Sequence, residues 1–471
     1  MIGHCFIPNA INAKGIAMPT RRRFIAAVLA SGLVPLRVQA QQSDELQWLT
    51  DISGGTSSQA AAALMAIADG NRRDMTAGLI LTLRFVPERS DDITTVLRNL
   101  TGQRNTSDWF DWMLWQEKHP EFVPHPSFIQ FMRTLYLRID PEFDVFLRPE
   151  DLSRENAKIR VEEIAWGGVV KDGIPSLDNP AMIAAAKASY LRDDDLVFGV
   201  SINGDVRAYP LRIMGWHEMF NEVIGGVPVA LAYCTLCGSG ILYETKVKGR
   251  NKPLIFGSSG FLYRSNKLMF DRATHSLWNQ FTGKPVTGKL ADSGIELQQR
   301  PVVIARWDDW QAANPQTSVL ALDTGYRRNY GSGEVYKEYF ASKELMFPAL
   351  ADQSRQRQKD YVFGIRRFGG AKAWPLTAFA KKPVINDAVA DFAVVVLGDT
   401  DSRSARAYER GALKFALKAG QLTSNDGAVW QIGEEALTTA DGRSLARVAG
   451  HVAYWFAWDG YLGDTAELYP N

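Results

Sequence analysis

Two spacings of apolar residues divide the chain near residue 150. Over residues 44–147 they recur at helical intervals: 60–68 is Ala-rich, 75–85 is an apolar segment closed by Pro87, and 93–100 is amphipathic and stops at Thr101-Gly102. Short helices in series predict an antiparallel helical array over residues 44–150. Trp109, Trp112 and Trp115 recur every three residues beside Phe110. That stripe drifts along one helix face and reads as core, with a ligand-stacking surface as the alternative. After Ile159 the pattern changes to short alternating runs punctuated by Gly and Pro. Residues 197–202, 227–233, 241–245 and 254–256 read as strands, and Asn203-Gly204 is a hairpin turn, because a tight primed turn needs positive φ at both central positions. One helix is expected over 180–191, with Asn179 as cap and Pro180 at its first position. The fold class is α+β: a helical array followed by a β-rich region.

That β-rich region repeats itself. A shift of 165 residues aligns 195–244 with 360–409 without a gap and with 14 identities in 50. A shift of 148 aligns Trp307 and Trp310 with Trp455 and Trp458. Residues 151–325 and 326–471 therefore read as two copies of one unit, the second degenerate. Positions kept in both are explained by fold, so positions that differ are the candidates for function. The first copy has His217-Glu218 where the second has Lys382-Pro383. It also has Cys234-Thr-Leu-Cys237-Gly238 where the second has Asp399-Thr-Asp-Ser402-Arg403.

A C-x-x-C-G turn between two strands resembles the knuckle of a zinc ribbon more than a thioredoxin-type site, whose second Cys enters a helix. One knuckle supplies two ligands. The remaining donors are sought among the histidines, where His217 beside Glu218 and His451 at the head of an aromatic strand over 451–458 are the candidates, while His275 reads as a polar turn. Three chemistries stay open. The pair holds one transition metal (copper, zinc or iron) for redox or small-ligand chemistry; it cycles as a thiol–disulfide couple; or it is structural in a non-catalytic binding or scaffold module. No Walker A loop, dinucleotide fingerprint or G-x-S-x-G elbow occurs, so no nucleotide cofactor is expected, and Gly257-Ser-Ser-Gly260 reads as a β-turn.

Composition sharpens the location. The 471 residues suggest two to four domains, and the 53 basic against 52 acidic residues offer no basic excess for nucleic acid. Thr20-Arg21-Arg22-Arg23-Phe24-Ile25, an apolar run and Val38-Gln39-Ala40 form a twin-arginine-type signal peptide over 1–40, with Met18 as an alternative start. Cleavage removes Cys5 and five basic residues, leaving a mildly acidic mature chain with two Cys and no transmembrane span. The expected location is periplasmic or secreted, and the expected partner a small ligand or a periplasmic protein.

The joined motifs Trp166-Gly-Gly-Val169, Lys171-Asp-Gly-Ile-Pro175, Arg207-Ala-Tyr-Pro-Leu211, His217-Glu218, Tyr233-Cys-Thr-Leu-Cys-Gly238, Ser265-Asn266, Asp271-Arg272 and Ser276-Leu-Trp278 resemble the family of domain of unknown function 3179 (DUF3179). The resemblance is close over about 145–320. It extends to the long members through Leu100-Thr-Gly-Gln103 with His119-Pro120 and through the 451–458 signature. It implies architecture without an activity, and it marks His217, Glu218, Cys234, Cys237, Asn266, Asp271 and Trp278 as family-pattern positions.

Overall fold

The computed structural model describes residues 43–104 and 108–470, so the signal peptide expected at 1–40 lies outside the described residues. Six α-helices come first: α1 (Asp44–Gly54), α2 (Ser57–Asp69), α3 (Thr76–Leu83), α4 (Ser90–Thr101), α5 (Trp109–Lys118) and α6 (Ser127–Leu137). Local chemistry sets their ends. Ser43 accepts from the Leu46 amide at 3.3 Å, Thr56 and Gln59 form a capping box, Asp108 accepts from the Asp111 amide at 3.0 Å, and Gly102 leaves α4 at φ 73°. α1 packs on α2, α3 and α6, and α3 packs on α4 and α5. Trp112 and Trp115 are buried in the core these helices share, which is the packing reading of the tryptophan stripe.

That core does not close on itself. Phe261, Tyr263, Leu268, Phe270 and Leu277, from the strands Phe256–Tyr263, Asn266–Asp271 and Leu277–Asn279, complete it, and Phe143 meets Phe261 at 4.6 Å between ring centroids. The change of spacing near residue 150 is thus a change of element type inside one continuous core. The described strands form five sheets, and the fold is α+β overall.

Beyond the shared core the strands pair twice in one pattern. Val197 pairs with Pro210 and Gly199 with Ala208; Val362 pairs with Pro375 and Gly364 with Ala373. Asn221 lies opposite Ala230 and Cys234 opposite Ser239; Asn386 lies opposite Val395 and Asp399 opposite Ser404. An outer strand joins each set, Val303–Arg306 or His451–Tyr454, and runs into a short helix. The helix lays a tryptophan over a glycine: a Cβ on Gly199 would sit 2.2 Å from the Trp310 ring, and one on Gly364 2.0 Å from the Trp458 ring. Only glycine leaves room for that approach. Asn221 clamps the backbone of Phe256 with two hydrogen bonds of 2.9 Å, and Asn386 clamps Phe415 at 2.7 and 2.8 Å. Asn221 is buried and Asn386 is exposed. Asn221→Ala should therefore cost about 2 kcal/mol in urea denaturation, and Asn386→Ala under about 1 kcal/mol, because water can replace only the second clamp.

Four local expectations are corrected. Residues 180–191 form no α-helix. Met182–Ala184 is a strand paired with Ser318–Leu320, and Asn179 adopts φ 49° instead of an extended cap geometry; sheet pairing overrides alanine's helix propensity. Gly257 to Gly260 is no turn but lies within the strand Phe256–Tyr263, where Gly260 at φ 86° lets the Val169 carbonyl come close. The strand expected over 254–256 starts only at Phe256, inside that longer strand. The aromatic segment after His451 is a strand only to Tyr454 and then the helix Trp455–Leu462, since Trp458 must fold over Gly364. No helix of the described residues is long and apolar enough to cross a membrane.

Candidate functional site

The strand Val227–Cys234 and the strand Ser239–Glu244 are joined by the Cys turn. The Cys237 amide donates to the Cys234 carbonyl at 3.1 Å and the Gly238 amide to the Thr235 carbonyl at 3.2 Å. Gly238 sits at φ 58°, and a Cβ there would lie 2.9 Å from the Tyr361 ring and 3.3 Å from that of Tyr454. Glycine is required both by conformation and by space.

Both sulfurs are buried, Cys234 at 2% and Cys237 at 0% exposure, and neither is in a disulfide. The Cys237 thiol donates to the Ser265 carbonyl at 3.5 Å and receives the Asn266 amide group at 3.1 Å. Burial pushes the Cys237 thiol well above its ordinary range, the Cys234 contact and the nearby Glu218 carboxylate push the same way, and the Asn266 donor opposes them. Asn266 is itself held, its amide donating to Gln280 Oε1 at 2.8 Å while Gln280 donates to the Ala232 carbonyl at 2.9 Å. Two polar atoms beside the turn, Asn266 Oδ1 and Ser265 Oγ, are buried without a hydrogen-bond partner.

Under the turn lies a buried ion pair. Glu218 ends the helix Leu211–His217 in a left-handed conformation, φ 53°. Its Oε2 accepts from Lys267 Nζ at 2.8 Å, and its Oε1 accepts from Thr235 Oγ1 at 2.7 Å and from the Tyr336 hydroxyl at 3.3 Å. Tyr339 donates to the Leu236 carbonyl at 2.6 Å, and Tyr361 donates to the Tyr454 hydroxyl at 3.1 Å. Arg403, from the turn between the strands Phe392–Asp399 and Ser404–Glu409, donates to the Tyr361 hydroxyl at 2.6 Å. In that turn Ser402 donates to Asp399 at 2.7 Å; these two residues align with Cys237 and Cys234 at the shift of 165.

The expected ligands do not all converge. Both His217 nitrogens are engaged elsewhere, Nδ1 with the Pro175 carbonyl at 2.9 Å and Nε2 with the Tyr330 hydroxyl at 2.5 Å. His451 meets Gln299 through Nδ1 at 3.2 Å and packs on Phe281 at 4.9 Å between centroids. Among the described residues no group of three or more His, Cys, Asp or Glu side chains is placed to hold a metal ion. Asp271 braces its own turn, accepting from the Thr274 amide at 2.7 Å and from Trp278 Nε1 at 3.0 Å. Glu218 and Asn266 do join the Cys turn. Lys267, Tyr336 and Arg403 were missed. Arg403 alone carried a signal, as the residue that aligns with Gly238 at the shift of 165; Lys267 follows Asn266 on a strand buried on both faces, where alternation says nothing.

Residues 171–465 match the family model described as Protein of unknown function (DUF3179). No curated protein and no solved structure matches the chain.

Proposed function

The chain belongs to the DUF3179 family, whose description names no activity, and from the chemistry of its Cys turn we propose an exported protein that holds one soft metal ion between Cys234 and Cys237. The carrying observation is a pair of buried sulfurs in one glycine-closed turn, neither in a disulfide, with an amide donor on Cys237 and, among the described residues, no group of three or more His, Cys, Asp or Glu side chains placed around them to hold a metal ion. A structural zinc site asks for four ligands and an iron–sulfur cluster for four thiolates. Of the three metals, copper(I) best suits two soft thiolates alone. The Asn266 N–H would stabilise charge on Cys237, and the buried site would keep water and competing ligands out. When bound, the ion would supply one-electron chemistry or a place for a small soft ligand.

The matching strand registers and the tryptophan-over-glycine pairs support reading residues 151–325 and 326–471 as two copies of one unit, the second having replaced its sulfurs by Asp399 and Ser402. A twin-arginine signal agrees with loading in the cytoplasm, before the thiols meet an oxidising periplasm.

The test is elemental analysis of exported protein purified without reductant. The expected result is about one copper per chain, absent in Cys234→Ser and in Cys237→Ser, with affinity that rises with pH because thiol protons must leave. Metal-free protein that also takes up no copper(I) overturns the reading. If it then carries a quantitative disulfide, thiol–disulfide chemistry takes its place; if its thiols are reduced, the pair is structural.

A further inference from the structure

Where the helical array meets the strand Ile164–Trp166, most buried guanidinium groups are spoken for. Arg264 pairs with Glu163 at 2.6 Å, and Arg160 reaches the same Glu163 at 2.5 Å. Arg84, which caps the C-terminus of α3, is enclosed by aromatic rings instead. Its Cζ lies 4.5 Å from the ring centre of Trp109, 5.4 Å from that of Phe347, 5.6 Å from that of Trp166 and 6.0 Å from that of Phe85. Burial lowers Arg84 from its ordinary value, opposed by Tyr136 and by no carboxylate among the described residues.

Ring faces and a helix C-terminus both favour a cation here. Neither fills the edge of the guanidinium, whose N–H groups lie in its own plane. Arg84 Nη1 is buried without a hydrogen-bond partner, and so is Nε1 of Trp109. Trp166, by contrast, donates to the Val169 carbonyl at 2.8 Å. Each unpartnered donor carries a desolvation cost that an acceptor would remove. The short distance between the guanidinium and the Trp109 ring puts both donors within reach of one carboxylate, which has two oxygens to offer. Trp112 Nε1 is unpartnered too, yet that ring is 0% exposed and lies beyond a ligand's reach. Arg84, Phe85, Trp109 and Trp166 are only half-buried, so the cage reaches the surface.

We propose that Arg84 and Trp109 bind the carboxylate of a small organic monoanion whose apolar body lies among Phe85, Trp166 and Phe347. One buried positive charge matches one negative charge, whereas a doubly charged phosphate would leave charge uncompensated. Aromatic walls suit an apolar body. Trp109 thus takes the ligand-stacking role that the tryptophan stripe left open, while Trp112 and Trp115 stay in the core. Entry requires the Trp109 side chain, at the first residue of α5, to turn and uncover the two donors. The site asks nothing of the two sulfurs.

The probe is benzoate, titrated into the full chain carrying isotopically labelled tryptophan and followed by nuclear magnetic resonance. The Trp109 indole N–H signal, assigned by its loss in Trp109→Phe, should move downfield and saturate with a half-effect on the order of 1 mM. Arg84→Lys keeps the charge and loses the planar fork, and should weaken binding about tenfold. Trp109→Phe keeps a ring and loses the donor, and should weaken binding about tenfold when read from the benzoate signals. Acetate, which lacks the apolar body, should bind about tenfold more weakly than benzoate, and phosphate should not bind. An indole signal that does not move up to about 50 mM benzoate overturns the site. So does benzoate binding that is unchanged in both variants. Phosphate bound as tightly as benzoate overturns the monocarboxylate assignment.

Discussion

Lowering the pH from 7 to 4 should cost the fold on the order of 3 kcal/mol, through two buried histidines that must charge against their surroundings. Burial holds His217 at about 4, against the Pro175 carbonyl and with help from the nearby Arg328 charge; burial holds His451 at about 3, with Arg366 pushing the same way. An unfolded histidine takes its proton near 6.5. Below that pH the unfolded chain binds more protons at these two sites than the native chain does, so their contribution to stability is present above 6.5 and is lost as the pH falls toward 4 and 3. Glu117 works in the opposite direction. Its carboxyl sits at about 7 in the fold, against an ordinary value of 4.5, so the native state gains a proton first and is favoured as the pH falls from 7. Glu222 is also raised by burial and adds to that opposition. The net slope over pH 6.5 to 4.5 is therefore about one proton, or about 1.4 kcal/mol per pH unit. Urea denaturation at pH 7, 6, 5 and 4 measures it. Glu117→Gln should steepen the slope, and the double variant His217→Gln/His451→Gln should reverse its sign above pH 5. A double variant with the wild-type slope would remove the histidines from the account.

Lys267→Met should destabilise the protein by about 3–5 kcal/mol, because it leaves the Glu218 carboxylate buried without its cation. The pair is as enclosed as any on the molecule, Lys267 at 4% and Glu218 at 6% exposure, with 2.8 Å between Nζ and Oε2. Thr235 and Tyr336 fill the other oxygen, so no spare donor is in place to take over from the ammonium. Glu218→Gln alone should also be costly, since it buries an unpaired charge on Lys267. The double variant Lys267→Met/Glu218→Gln removes both charges and should recover most of the loss, to within about 1–2 kcal/mol of the parent. A double-mutant cycle by thermal or urea denaturation reads the coupling directly. If the two single losses simply add, the carboxylate and the ammonium do not depend on each other.

Much of the framework was legible because it is local. The stop at Gly102, the Asn203-Gly204 hairpin with φ of 51° and 79° and the turn at Gly238 each follow from a few adjacent residues. The Cys pair was legible for a related reason, since its counterpart 165 residues on lacks every soft ligand. Residues 180–191 were misread because their partner strand, Ser318–Leu320, lies far along the chain, and long-range pairing outweighs a run of alanines. His217 is expected at the sulfurs because the aligned segment has Lys382 in its place, and His451 because it heads the aromatic strand; their partners, Tyr330 and Gln299, come from distant segments that no spacing rule brings near.

By itself, then, the sequence determined what short-range sterics and hydrogen bonding decide: most of the N-terminal helices, the α+β class, tight turns and the position of two thiols in a glycine-closed turn. Only the tertiary structure decided what surrounds those thiols. It buried them, set Lys267 against Glu218 beneath them, brought Asn266 and Ser265 to Cys237, set Arg403 against Tyr361 beside the turn, and engaged His217 and His451 with other partners. The physical reason is that burial, desolvation and charge pairing depend on which distant segments pack together, and that packing minimises exposed apolar surface over the whole chain before it assigns any one side chain its neighbours.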